Sequence, residues 1–159
     1  MADIHTMPGH LIRRLQQISS SVFAQHMKNV GLDLTSPQFA ALSMISEYPR
    51  IDQATLAGLI AFDRATIGGV VDRLVSKGFV ERLTNPKDRR AKVLTLTKSG
   101  QATLAQLLPI VRKSQDDLLP SLTDAEKAEF LRLAAKIADA GNALSRAPLQ
   151  FPKPTIAPQ

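Results

Sequence analysis

The chain of 159 residues contains no cysteine. This absence excludes disulfide bonds, thiolate metal sites and peroxide sensing by cysteine oxidation. Long apolar runs are also missing, since no segment approaches the roughly 18 apolar residues of a membrane span. The N-terminus lacks the basic region and apolar stretch of a secretory signal. We therefore expect a soluble, cytoplasmic protein with no membrane partner.

Motifs of the common enzyme classes are absent too. The sequence has no glycine-rich phosphate loop, no nucleophile turn of the G-x-S-x-G type and no pair of acidic residues at catalytic spacing. The sequence therefore predicts a protein that binds rather than catalyses, without a cofactor.

Positive charge is concentrated in one part of the chain. The formal net charge is +6 and the isoelectric point is about 10.0. Residues 62–100 hold nine Lys or Arg against four Asp or Glu, whereas the remainder holds 11 against 10. A local basic patch is typical of nucleic-acid binding, because a merely soluble protein spreads its charge.

Apolar spacing predicts long amphipathic helices at both ends of the chain. The first runs from Pro8 to about Asn29, another follows residues 98–100 toward Leu119 with a kink or break at Pro109, and a last one begins at a Thr123 capping box and reaches Leu144. A helix capped by Thr35 also precedes Pro49. This much apolar helix predicts a homodimer with interleaved N-terminal and C-terminal helices.

Two short helices precede a charged hairpin in the centre of the chain. Asp52 and Asp63 can cap them, and only about three residues separate them, which is typical of a helix-turn-helix. On the second helix, apolar residues face inward and small residues, including Gly68 and Gly69, face outward. Because two glycines cost helix stability, they indicate either close helix packing or a backbone that enters the DNA major groove.

The hairpin joins runs 79–83 and 92–96 through a turn at Asn85 and Pro86 that is crowded with cations. An arginine at such a tip can enter the narrow minor groove. Asp88 and Asp72 are anions on this basic surface, and we expect each to orient a neighbouring arginine. Asp72 could instead accept a hydrogen bond from a cytosine N4 donor. The fold class is therefore mainly α with a small β-wing, a winged helix-turn-helix. The predicted parts are 1–34 and 101–147 for dimerisation, 35–100 for DNA binding, and a flexible proline-rich tail at 148–159.

The central sequence closely resembles the core of the MarR family of bacterial transcription regulators. The resemblance rests on Arg64-Ala65-Thr66-Ile67, Val71-Asp72-Arg73-Leu74, Lys77-Gly78-Phe79-Val80, Asp88-Arg89-Arg90-Ala91-Lys92 and Leu94-Thr95-Leu96-Thr97. It implies a homodimeric winged-helix protein, usually a repressor, that a small molecule releases from a palindromic operator. It also implies that Arg90 is the minor-groove arginine with Asp88 as its partner. The predicted DNA-binding residues are Arg64, Ala65, Thr66, Gly68, Gly69, Arg73, Lys87, Asp88, Arg89, Arg90 and Lys92.

The sequence gives fewer indications of the effector than of DNA binding. The run from Pro8 to Leu15 resembles that of family members that control the breakdown of aromatic or heteroaromatic acids. An arginine fork beside apolar surface can bind a carboxylate, while a histidine or tyrosine can bind a ring substituent. The predicted effector-binding residues are His10, Arg13, Arg14 and Tyr48.

Several alternatives stay open. Arg13 and Arg14 can equally be solvated or paired across a dimer. His5, His10 and His26, with a carboxylate such as Asp3 or Glu47, are candidates for metal sensing, although their spacing forms no close pair of ligands. An effector-independent regulator, a nonspecific architectural DNA-binding protein and a pure protein-interaction module are the remaining possibilities.

Overall fold

The structure, a computed structural model, describes residues 3–85 and 88–152. These residues form a mainly helical protein with one three-stranded antiparallel sheet in the order β1-β3-β2. The helices are α1 (Pro8–Asn29), α2 (Ser36–Glu47), α3 (Gln53–Leu59), α4 (Ile67–Ser76), α5 (Lys98–Asp116) and α6 (Asp124–Ala140). The strands are β1 (Ile51–Asp52), β2 (Val80–Asn85) and β3 (Asp88–Leu96). Single 3₁₀ turns lie at Ile4–Thr6 and Asn142–Leu144.

Local capping fixes where most of these helices begin. Thr35 and Thr123 each accept the backbone N–H of the residue three positions later, and the side chains there, Gln38 and Glu126, accept the N–H of the capping threonine. Asp52 accepts the N–H of Thr55 at 2.9 Å. Three of the four predicted caps, Thr35, Asp52 and Thr123, are therefore confirmed.

The predicted start of α4 is wrong by one helical turn. Ala61 adopts a left-handed conformation with φ of 52° after α3, and residues 60–66 separate the two helices. The Asp63 carboxylate accepts the N–H of Ala65 at 2.9 Å and so closes a turn ahead of the helix. Because α4 begins at Ile67, the predicted DNA-binding residues 64–66 lie in this turn and not on the helix.

The hairpin is longer than predicted. Strands β2 and β3 pair from Val80 opposite Leu96 to Asn85 opposite Asp88, so the backbone of Arg89 and Arg90 belongs to β3 rather than to a turn. Residues 86 and 87, predicted for the turn and tip, lie outside the described residues. The sequence did not indicate β1, which adds two residues to the sheet beside β3.

A single apolar core joins the helix-turn-helix to the long helices. It takes buried side chains from α1, α2, α3, α4, α5 and the sheet. The first turn of α5 packs directly on the backbone that follows α4, because a Cβ at Gly100 would lie 2.0 Å from the Phe79 carbonyl oxygen. The position of the winged motif is thus tied to α5.

The two C-terminal helices differ from the predicted ones. Helix α5 continues through Pro109 without the possible break and ends at Asp116. Proline removes one backbone hydrogen bond, and burial of Leu107 and Val111 on either side offsets that loss. Helix α6 ends at Ala140, four residues before the predicted end, and the chain then turns back. None of the helices in the described ranges has the length and apolarity needed to span a bilayer.

Candidate nucleic-acid interface and the cleft behind it

Helix α4 presents a narrow face of small and polar side chains to solvent. Ile67, Val71 and Leu74 are buried, and they anchor the opposite face in the core. Gly69, Asp72, Arg73 and Ser76 are exposed, as are Arg64, Ala65 and Thr66 in the preceding turn. This arrangement suits the second helix of a helix-turn-helix, whose first residues contact base edges while its apolar side holds it in place.

The two glycines of α4 are not required by packing within the chain. A Cβ at Gly69 would have no atom within 4 Å, and one at Gly68 would touch only the flexible Gln53 side chain at 3.6 Å. The interpretation that they permit close helix packing is therefore wrong. An exposed surface without side chains is instead what a close backbone approach to a partner needs.

Asp72 does orient an arginine, as predicted. Its carboxylate accepts a hydrogen bond from Arg82 Nη2 at 2.5 Å. Arg82 lies on β2, so the ion pair joins the exposed face of α4 to the first strand of the hairpin. The sequence identified the role of Asp72 but not its partner, because the two residues come together only through the register of the sheet.

On the hairpin, Lys92 is exposed and its Nζ donates to Thr84 Oγ1 at 2.9 Å across the strand pair. Asp88 is exposed beside the tip. The side chains of Arg89 and Arg90, together with Lys87, lie outside the described part of the chain. Their predicted contacts with DNA, and the predicted pairing of Asp88 with Arg90, stay predictions.

An ion pair fixes the C-terminal end of α4. Lys77 Nζ donates to the Asp33 carboxylate at 2.7 Å and to the Asp33 carbonyl at 2.6 Å. The hydrogen bond and the charge of Lys77 lower the pKa of Asp33 from its ordinary value of 3.8. Gly78 then ends the helix in a left-handed conformation with φ of 73°, as predicted. The two hydrogen bonds of Lys77 to Asp33 hold the end of α4 against the α1–α2 connection.

A cleft of about 590 Å³ lies behind the exposed face of α4. Residues of α1, α2 and α4 line it, and Phe62 contributes to its wall. Its lining residues are Ser20, Phe23, Ala24, Leu34, Thr35, Ser36, Pro37, Gln38, Phe62, Thr66, Gly69, Val70 and Arg73. Thr66, Gly69 and Arg73 thus belong both to this cleft and to the predicted DNA-binding residues. Arg73 is the one charged side chain among the described lining residues.

The predicted effector-binding residues lie elsewhere in the single chain. Arg13 and Arg14 are exposed on α1, and His10 is half-buried one turn earlier. Tyr48 follows α2 and packs partly against the core, where desolvation and then a hydrogen bond with Glu47 raise its pKa. None of the four lines the cleft. The sequence offered no signal for the cleft residues, which read as ordinary apolar and capping positions.

Two of the histidines considered for metal sensing do meet. The His5 and His10 rings stack edge to face with centroids 5.2 Å apart, whereas His26 contacts Asp117 at 2.8 Å. Within residues 3–85 and 88–152, no three His, Asp or Glu side chains come together to hold a metal ion. The metal-responsive alternative therefore gains no site from these residues.

Fold and surface together define a winged helix-turn-helix protein in which Arg64, Arg73 and Lys92 are exposed. The model of the MarR family matches residues 34–92. Over 137 residues the chain is 34% identical to the HTH-type transcriptional repressor NicR of Pseudomonas putida, covering 86% of this chain and 85% of NicR. The chain belongs to the MarR family of transcription regulators, which confirms the resemblance seen in its central sequence.

Solved structures agree with this assignment over most of the chain. PcaV from Streptomyces coelicolor, in complex with its natural ligand, has a TM-score of 0.79 at 33% identity, covering 89% of this chain and 98% of PcaV. BpsR from Bordetella bronchiseptica, whose DNA binding is regulated by 6-hydroxynicotinic acid, has a TM-score of 0.78 at 28% identity, covering 84% and 94%. The predicted winged-helix fold is thus confirmed.

Proposed function

We propose that this protein is a homodimeric repressor that leaves a palindromic operator when a small aromatic or heteroaromatic carboxylic acid occupies the cleft behind α4. One observation carries the proposal: Thr66, Gly69 and Arg73 line the cleft and also belong to the candidate DNA-binding surface. A ligand in the cleft would touch the helix that reads DNA. By linkage, effector and operator then oppose each other's binding by the same factor.

The chemistry of the cleft suits an aromatic acid. Phe23, Phe62 and Val70 supply apolar wall for a ring, and Arg73 supplies a guanidinium that can bind a carboxylate through two hydrogen bonds. An acid paired with Arg73 would also withdraw that cation from a DNA phosphate. The regulation of BpsR by 6-hydroxynicotinic acid supports this class of effector.

The predicted role of Arg14 stays a competing proposal. Arg14 is exposed on α1 and does not line the cleft in the single chain. It would take part only if the effector lay further along α1 or if a second protomer brought its own α1 close. Variants of Arg14 and Arg73 therefore distinguish two positions for the carboxylate.

The homodimer follows from apolar surface that the single chain leaves uncovered. Helix α6 has no buried residue, and Ile137 remains 66% exposed. Residues of α1, of α6 and of the segment that follows α5 line an apolar groove of about 420 Å³. Covering such a face requires a partner, and we assign it to a second copy. Residues 35–100 would then bind DNA, and residues 1–34 and 101–147 would join the protomers, with no catalytic step.

Effector binding is tested without DNA by thermal unfolding in the presence of benzoates, cinnamates and hydroxylated pyridine carboxylates. At about 100 times its dissociation constant, a true effector stabilises the protein by about 2.7 kcal/mol. We expect Arg73→Gln to abolish that shift and Arg14→Gln to preserve it. The opposite pattern would move the carboxylate to α1, and no shift with any acid would refute the proposed effector class.

DNA binding is tested with a palindromic operator and a random duplex of equal length. We expect Arg90→Ala to weaken operator binding, because a minor-groove arginine contributes more than its charge. Arg132→Ala is the matched control, since Arg132 pairs with Glu129 on α6 and loses the same charge. Equal effects of the two variants would refute the wing assignment, and equal affinity for both duplexes would favour an architectural protein.

A further inference from the structure

The segment after α6 folds back and closes on itself. The Asn142 side chain accepts the N–H of Leu149 at 2.7 Å and donates Nδ2–H to the Leu149 carbonyl at 3.1 Å. These two bonds join the 3₁₀ turn that follows α6 to a residue seven positions after Asn142. We call residues 142–149 the C-terminal strap. The flexible proline-rich tail predicted from residue 148 stays a prediction, and Leu149 near its start is hydrogen-bonded to Asn142.

The strap lies directly on the first helix of the helix-turn-helix. Ala147 is only 6% exposed, and Gly58 on α3 is buried beneath the strap. A Cβ at Gly58 would lie 2.7 Å from the Pro148 carbonyl oxygen, a distance that backbone atoms do not tolerate. Gly58 therefore has a packing reason that the glycines of α4 lack: it lets two backbones touch.

A second contact joins the strap to the turn that precedes α4. Arg146 Nη1 lies 3.4 Å from the Asp63 carboxylate, which also accepts the Ala65 N–H. The Ala65 hydrogen bond, and after it Arg146, lower the pKa of Asp63. The strap thus contacts α3 and the connection between α3 and α4. None of its residues lines the cleft.

We propose that the C-terminal strap is a positioning clamp that fixes the helix-turn-helix relative to α6. If α6 joins the protomers, the clamp sets how far apart the two recognition helices lie, and so how well they match the half-sites of an operator. Loosening the strap would leave the winged motif in several orientations, only some of which fit both half-sites. The clamp itself follows from the contacts of the strap. Only its predicted effect on operator binding rests on the proposed function.

Gly58→Val tests the clamp, because its side chain must displace the strap. Trypsin cleavage after Arg146, followed by mass spectrometry of the released peptide 147–159, reports strap opening without DNA. We expect cleavage to be at least about tenfold faster than in the wild type, and operator affinity to fall by about tenfold if the competent orientation falls to about a tenth of the population. Ala54→Val, on an exposed position one turn earlier in α3, is the matched control and should leave cleavage unchanged.

Asn142→Ala provides an independent second variant, since it removes the two strap bonds without altering the helix-turn-helix. We expect it to change cleavage and affinity in the same direction as Gly58→Val, with the dimer intact by sedimentation. Unchanged cleavage in Asn142→Ala would refute the clamp, and so would faster cleavage at unchanged operator affinity. If the wild-type protein bound no duplex, the proposed function would fail, and the positioning role would fail with it.

Discussion

Gly69→Ala separates what α4 needs to fold from what it needs to bind DNA. Gly69 is the third residue of α4, it is exposed, and a Cβ there would have no neighbour within 4 Å. Alanine at such a helical position is more stable than glycine by about 0.4–1 kcal/mol, because the unfolded chain loses less freedom. For a protein of this size, that gain raises the melting temperature by about 1–4 °C.

The same methyl group should weaken operator binding. If the small-residue face of α4 enters the major groove, the added Cβ occupies space that the DNA needs. We expect a loss of at least about 1.4 kcal/mol, a tenfold rise in the dissociation constant. Thermal unfolding without DNA and fluorescence anisotropy with a labelled operator measure the two effects. Both are measured without aromatic acids, because Gly69 also borders the cleft.

Gly78→Ala is the contrasting variant. Its φ of 73° lies in the left-handed region, so alanine there is strained by about 1–2 kcal/mol and the melting temperature should fall. A Gly69→Ala protein that is stabilised but binds the operator as the wild type does would refute the close approach of α4 to DNA. A destabilised Gly69→Ala protein would show that the glycine has a structural role that its surroundings do not reveal.

Three further perturbations address the contacts around α4 and the dimer. Arg82→Met and Asp72→Asn should each weaken operator binding, and the double variant should lose little more affinity than either single variant, because each change breaks the same ion pair. This pair is partly exposed and contributes no more than about 1 kcal/mol to folding. Additive losses of affinity would contradict the coupling of wing and helix. Lys77 lowers the pKa of Asp33 in the folded state below its ordinary value of 3.8. The pair therefore stabilises the folded protein at a pH above 3.8, and this contribution is lost as the pH falls through the lower pKa of the folded state. Asp33→Asn should therefore lower the urea midpoint of unfolding near neutral pH, and this midpoint should fall less in acid than that of the wild type. An equal fall of the midpoint in the variant and the wild type would contradict this. Ile137→Glu should produce monomers in sedimentation, because it places a charge on the uncovered face of α6; an intact dimer would assign that face to another role.

Much of the local structure could be predicted because it depends on neighbours in sequence. Threonine and aspartate caps set the starts of α2, α3 and α6, and the left-handed Gly78 sets the end of α4. The start of α4 was predicted one turn early because Asp63 is equally suited to cap a helix or to close a turn. The sequence also does not indicate the left-handed conformation of Ala61, two residues before Asp63.

Contacts between distant segments could not be predicted from the residues themselves. The ion pair of Asp72 with Arg82 depends on the register of the sheet, and the burial of Gly58 depends on the return of the chain after α6. The cleft has no sequence signature, since its walls are made of capping residues and apolar side chains that also serve the core. The residues around Arg14 in the sequence predict that it binds the effector, whereas Arg73 lies beside the cleft.

The central claim is that an aromatic acid bound in the cleft and DNA bound to the exposed face both contact α4, so that each weakens the binding of the other. It is tested most directly by measuring the dissociation constant for the operator across a salt series, with and without an acid that raises the melting temperature. We predict that log affinity falls with log salt by roughly 0.9 per contacted phosphate, and that the acid weakens binding at every salt concentration. The reciprocal loss should appear in the affinity for the acid when the operator is present. An acid that binds the protein yet leaves operator affinity unchanged would contradict the claim.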